Sequence, residues 1–204
     1  MNIAPLLSQI FAAAVQAHRA GQNSLAESLC RQILAQDPQH VESFHLLGLL
    51  CSQTGRLTEA VDYLQQALAL NPANPALHNN LGEIWRAQGN WEQALHSYRQ
   101  ALTLQPHFPA AHYNLANLLK AQGNLTEAAH HYQQAIHLKP NYIKAHYNLG
   151  NTLLELGRFK AATESYQRAI QLNPTWAEAH NNLGAALKEQ EQLDEAVTYY
   201  RRAL

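Results

Sequence analysis

The chain has 204 residues, 47% of them apolar, and its 14 basic and 15 acidic side chains leave a formal charge of −1. No basic tract of the kind that neutralises nucleic-acid phosphates stands out, and no apolar run approaches the roughly 20 residues of a membrane span. Ala, Leu and Gln, all strong helix formers, are the commonest residues, so the composition predicts an ordered, helical protein with neither nucleic acid nor membrane as partner.

From the N-terminus, residues 1–21 (MNIAPLLSQIFAAAVQAHRAG) lack the cationic start and long apolar core of a secretory signal. Cys30 and Cys51 form no CxxC pair and no disulfide framework, which suits a reducing compartment. Both fall in inward-facing slots and read as buried thiols. A cytoplasmic location is expected, and the sequon Asn124-Leu125-Thr126 then carries no weight.

A 34-residue period organises everything that follows. Pro38, Pro72, Pro106, Pro140 and Pro174 recur at that spacing, as do Ala26, Ala60, Ala94, Ala128, Ala162 and Ala196. Gly48, Gly82, Gly150 and Gly184 share one slot, where Ala14 and Ala116 stand in. Gly21, Gly55, Gly89, Gly123 and Gly157 share a second, and the two slots account for all nine glycines. After a leader over residues 1–6, the chain divides into units 7–40, 41–74, 75–108, 109–142, 143–176 and 177–204.

Each unit reads as two helices, with no strand signal anywhere. In unit 75–108, Pro75 suits a first helical turn because it has no N–H to leave unpaired. Leu77, Leu81, Ile84, Trp85 and Gln88 then form one stripe at 100° per residue. Gly89-Asn90 turns the chain into a second helix, whose predicted inner face is Trp91, Ala94, Leu95, Tyr98, Ala101 and Leu102. Pro106 ends the unit by pushing the residue before it out of α geometry. Gly82 and Ala94 let two backbones approach, and Tyr98 fills the space beside them. One hairpin cannot bury its apolar faces alone, so neighbouring units must stack.

These residues carry a resemblance. The run AAHYNLANLLKAQGNLTEAAHHYQQAIHLKP (110–140) resembles the tetratricopeptide repeat nearly slot for slot, and the likeness extends over residues 7–204. It implies an all-α, right-handed solenoid of six helix-turn-helix repeats, whose first helices line a concave groove that binds a protein or an extended peptide. The blocks HNNLG (78–82), HYNLA (112–116), HYNLG (146–150) and HNNLG (180–184) also resemble the repeat arms of O-GlcNAc transferases and related bacterial proteins. In that family a ladder of asparagines grips the peptide backbone; the matching positions are Asn80, Asn114, Asn148 and Asn182. Ala12 and Leu46 hold that slot in the first two units, so a ladder covers only the last four. Glu191 replaces the turn glycine of the sixth unit, which puts that turn in question. Asn79, Tyr113, Tyr147 and Asn181 stand where a chaperone-tail clamp needs Lys, which disfavours that ligand class.

Geometry supports the asparagines as candidates. Ala76, Asn80, Glu83 and Ala87 form a small, polar stripe away from the apolar face, continued by Asn114 and Asn117, then by Asn148 and Asn151. An amide offers a donor and an acceptor, enough for both polar groups of an extended backbone. The alternative is that these side chains bond neighbouring helices to each other. Tyr113 and Tyr147 flank the ladder, either as ligand contacts or as packing between helices. Phe108, Tyr142 and Trp176 read as apolar staples ahead of first helices.

Metal binding and catalysis are not expected. His78, His112, His146 and His180 share one slot, but stacked helices stand roughly 8–10 Å apart, whereas zinc ligands must reach within about 2.1 Å of one ion. His130 and His131 point in different directions. No phosphate loop, HExxH pair or nucleophile elbow occurs, so neither cofactor nor active site is predicted.

Three readings follow. The first is a scaffold binding an extended segment in the groove. The second is the substrate-recruiting arm of a larger O-GlcNAc-transferase-like enzyme, catalytic beyond Leu204, and the third an assembly platform using the outer face. The last helix displays Leu193, Ala196, Val197, Tyr200, Ala203 and Leu204 with no capping helix after it. The expectation is that more sequence follows or that this face self-associates.

Overall fold

A computed structural model describes residues 4–204. Its twelve helices are α1 (Ala4–Arg19), α2 (Asn23–Gln36), α3 (Val41–Gln53), α4 (Leu57–Leu70), α5 (Pro75–Ala87), α6 (Trp91–Leu104), α7 (Pro109–Ala121), α8 (Leu125–Leu138), α9 (Ile143–Glu155), α10 (Phe159–Leu172), α11 (Ala177–Lys188) and α12 (Leu193–Arg202). They form six helical hairpins, and no strand occurs among the described residues. Five first helices start where the 34-residue period places them. The leader differs: residues 4–6 already belong to α1, and residues 1–3 lie outside the described part.

Local chemistry explains the boundaries. Asn74 caps α5, its Oδ1 accepting from the backbone N–H of Ala76 at 3.0 Å and of Leu77 at 3.3 Å, with Pro75 in the first turn. That helix ends at Gly89 (φ 78°), where the Asn90 N–H reaches back to the Trp85 carbonyl at 2.8 Å. This closure of the last turn needs one left-handed residue. Glu191 supplies it in the sixth repeat at φ 62°, with Gln192 N–H bonded to the Leu187 carbonyl at 3.0 Å. The turn keeps its geometry without glycine.

Backbone contacts divide the chain into two compact halves, Met1–Gln105 and Pro106–Leu204. In the first, Cys30, Leu47, Leu50, Cys51, Leu64, Leu77 and Tyr98 are fully buried. Trp91, expected on the inner face of α6, is instead 43% exposed. As the first residue of its helix it lies at the turn rather than within the packed face.

In the second half, Leu115, Leu118, Leu119, Tyr132, Tyr166 and Leu183 are buried completely. Small residues set the spacing within a hairpin. A Cβ placed on Gly150 would meet the Tyr166 ring at 2.6–2.9 Å, and one on Gly184 would meet Tyr200 at 2.8–3.1 Å. Two of the expected staples, Tyr142 and Trp176, lean on the preceding repeat. Tyr142 packs on Tyr113 with ring centres 4.8 Å apart, and Trp176 on Tyr147 at 4.4 Å.

Within this half, α7 approaches α9 and α9 approaches α11, while α8 and α10 make no comparable approach to each other. The first half repeats the pattern with α1, α3 and α5. Shorter spacing between first helices than between second helices puts the first helices on the inner side of each half.

Candidate peptide-binding face

The inner side displays the predicted asparagines, and hydrogen bonds orient them. In the second half, Asn148 of α9 donates through Nδ2 to the Tyr113 hydroxyl at 3.2 Å and to Asn117 Oδ1 at 3.0 Å, both on α7. One repeat later, Asn182 donates to the Tyr147 hydroxyl at 3.0 Å and to Asn151 Oδ1 at 2.9 Å. From the second helices, Tyr132 donates to Asn117 Oδ1 at 2.6 Å and Tyr166 to Asn151 Oδ1 at 2.7 Å. Burial pushes both tyrosine hydroxyls up from their ordinary pKa, so they stay protonated and available as donors. Asn117, Asn148, Asn151 and Asn182 are all half-buried. Asn114 takes the same register on α7, also half-buried.

In the first half, Asn80 pairs its Nδ2 with His45 Nε2 at 2.7 Å. An amide N–H2 can only donate, so that imidazole nitrogen accepts and the ring is neutral. Burial holds His45 below the usual histidine range, in agreement. The Asn80 carbonyl receives a longer bond from Asn79 at 3.3 Å.

The helix-bonding role weighed for the asparagines is therefore present, and at Asn117, Asn148, Asn151 and Asn182 the bonds between helices use one pole of the amide. Asn148 Oδ1 and the Nδ2 atoms of Asn117 and Asn151 have no hydrogen-bond partner among the described residues. Tyr113 and Tyr147, half-buried, support the next repeat through the stacked ring and the bond to its asparagine. A recess of about 510 Å³ opens beside Tyr147 and Asn182, lined also by Glu178, Asn181 and Tyr200.

The shared histidine slot acts in packing. His78, His112, His146 and His180 each place Nε2 at 2.8–2.9 Å from a proline carbonyl, those of Pro72, Pro106, Pro140 and Pro174. A carbonyl only accepts, so Nε2 carries the hydrogen and clamps the loop between repeats. Among the described residues no three His, Cys, Asp or Glu side chains converge as metal ligands.

Sequence reasoning missed three participants: His45, Tyr132 and Tyr166. The last two stand 15 residues after Asn117 and Asn151, a recurring offset within one hairpin that carries a usable signal.

A family model described as TPR repeat matches residues 48–85, 82–123, 116–157 and 150–191. The chain belongs to the TPR repeat family. Solved TPR-like structures resemble it over most of its length. PilF of Pseudomonas aeruginosa is 18% identical with a TM-score of 0.88, covering 98% of this chain and 90% of its own. YrrB, described as a TPR protein with an unusual peptide-binding site, is 18% identical with a TM-score of 0.73, covering 85% and 90%. MamA is 25% identical with a TM-score of 0.72, covering 77% and 92%. No curated protein matches the chain. The narrower likeness to O-GlcNAc transferase arms draws no support from these matches. No helix of this TPR chain, among the described residues, is long and apolar enough to cross a membrane.

Proposed function

We propose that this TPR protein is an interaction scaffold that holds an extended polypeptide segment along the inner face of its first helices. Asn80, Asn114, Asn148 and Asn182 form the ladder, Asn117 and Asn151 stand beside it, and Tyr113 and Tyr147 flank it. The observation that carries this reading is the half-used amide. Asn148 is anchored through its Nδ2 to the neighbouring repeat, yet its carbonyl has no hydrogen-bond partner among the described residues. An anchored side chain has already lost its rotamer freedom, so a ligand that binds it need not order it again. Main-chain groups are common to all peptides, so recognition through them tolerates sequence while intervening side chains set preference.

The test begins with a phage-displayed library of random peptides panned on the protein. A selected peptide is then titrated while the backbone amide signals of the whole chain and the side-chain amide signals of the asparagines are followed by NMR. Shifts at Asn114, Asn148 and Asn182 support the groove; shifts confined to α8, α10 and α12 would move the interaction to the outer face and defeat the proposal.

A further inference from the structure

We infer that two repeat boundaries each carry a donor–acceptor pair of amides, Asn117 with Asn148 and Asn151 with Asn182, and that each pair takes one N–H and one C=O of an extended main chain. This rests on the groove reading above and specifies its ligand.

The pairing follows from the hydrogen bonds. Asn148 uses both amide hydrogens, on Tyr113 at 3.2 Å and Asn117 at 3.0 Å, and keeps its carbonyl. Asn117 uses its carbonyl twice, accepting from Asn148 at 3.0 Å and Tyr132 at 2.6 Å, and keeps its N–H2. A donor and an acceptor are thus left side by side. The mutual bond forces this outcome: turning both amides over exchanges the two roles but still leaves one of each. Asn151 and Asn182 repeat the arrangement with Tyr166 and Tyr147. There the Asn182 carbonyl has a long 3.3 Å contact from Asn181, an exposed side chain that a ligand can displace.

The open poles reach solvent. Buried polar atoms lacking a partner among the described residues are His18 Nδ1, Tyr98 Oη and His180 Nδ1, none of them in these pairs. The slot of Asn117 and Asn151 holds Leu49, Glu83 and Ala185 in the second, third and sixth repeats, so the pair is confined to two boundaries. Packed helices stand roughly 8–10 Å apart, and an extended chain advances about 3.3 Å per residue. The two pairs therefore meet main-chain groups about three residues apart. A residue lacking its N–H, proline or an N-methyl amino acid, is rejected at those two positions and accepted between them.

The experiment uses the library-selected peptide, resynthesised with a single N-methyl group at each position in turn, and fluorescence anisotropy against the full chain. Two positions about three residues apart lose at least about tenfold in affinity, while the others change less than about threefold. The protein arm is Asn117→Asp with Asn151→Asp, which keeps both accepted bonds but replaces the open N–H2 by an acceptor. Affinity falls at least about tenfold, with the melting temperature held within about 2 °C. A flat or uniformly harmful N-methyl scan, or undiminished binding by the double variant, overturns the inference. If selected peptides bind Asn148→Ala as tightly as the parent, the groove reading itself fails. If they need Asn148 but ignore N-methylation, the groove stands and only the pairing falls.

Discussion

Asn148 Nδ2 in α9 lies 3.0 Å from Asn117 Oδ1 in α7, so the amide proposed to meet a ligand also ties two repeats together. Asn148→Ala removes this bond and the one to Tyr113, and the expected loss of stability is about 1–3 kcal/mol. Urea unfolding monitored by circular dichroism checks this; an unchanged midpoint would mean that the bond contributes nothing to stacking.

Glu191 holds the left-handed turn of the sixth repeat at φ 62°, where five other repeats use glycine at φ 70–80°. A side chain in that region costs roughly 1–2 kcal/mol, partly offset by the greater chain entropy a glycine gives the unfolded state. Glu191→Gly is expected to stabilise the protein by about 0.5–1 kcal/mol. A lowered melting temperature would show that the Glu191 side chain makes a compensating contact.

Gly150 faces a ring that cannot retreat, because Tyr166 is fully buried and its hydroxyl is bonded to Asn151 at 2.7 Å. Gly150→Ala gains helix propensity but overpacks the hairpin, for an expected net loss of about 1–2 kcal/mol. The same residue is already present at the counterpart position as Ala116, with Tyr132 in the slot of Tyr166 and both fully buried, so that hairpin accommodates the methyl group. Thermal melts of Gly150→Ala decide whether the fifth repeat can do likewise; a higher midpoint would show that it can.

Acid should weaken the fold before the carboxylates titrate. His45, His112 and His146 are all held below the ordinary histidine value of 6.5, chiefly by burial. Their unfolded forms therefore take up protons first, so the stability tied to the neutral rings is present above pH 6.5 and is lost as pH falls through the lower folded values. Glu27, lowered from 4.5 mainly by its bond to Arg56, acts separately: its contribution is present above pH 4.5 and disappears at lower pH. Urea midpoints should decline between pH 6.5 and 4.5, and His45→Gln should flatten part of that decline. A midpoint constant over that window contradicts the assignment.

The hairpins were legible because prolines and glycines act locally. Pro75 suits a first helical turn and Gly89 closes a last one, and the starts of α3, α5, α7, α9 and α11 follow from the 34-residue period that these residues mark. Exposure of Trp91 was not legible, since one helix's periodicity does not say which neighbour covers its first residue. The partners of the asparagines were hidden for a related reason. Asn80 meets His45, and Asn148 meets Tyr113, across 35 residues. A repeat read slot by slot at 34 residues aligns equivalent positions, whereas contacts between repeats join unlike ones. His45 gave no sign of its role, because the asparagine that needs it sits in the following repeat.

The ladder itself is tested most directly by titrating a library-selected peptide against the parent chain, each single Asn→Ala variant and the variant with Asn80, Asn114, Asn148 and Asn182 all changed to Ala, below the melting temperature of each. One hydrogen bond contributes about 0.5–1.5 kcal/mol, so single changes should weaken binding by roughly 2- to 13-fold. The fourfold variant should retain its helical spectrum and bind almost nothing. A fourfold variant that is folded and binds as tightly as the parent would leave the asparagines as ties between helices alone.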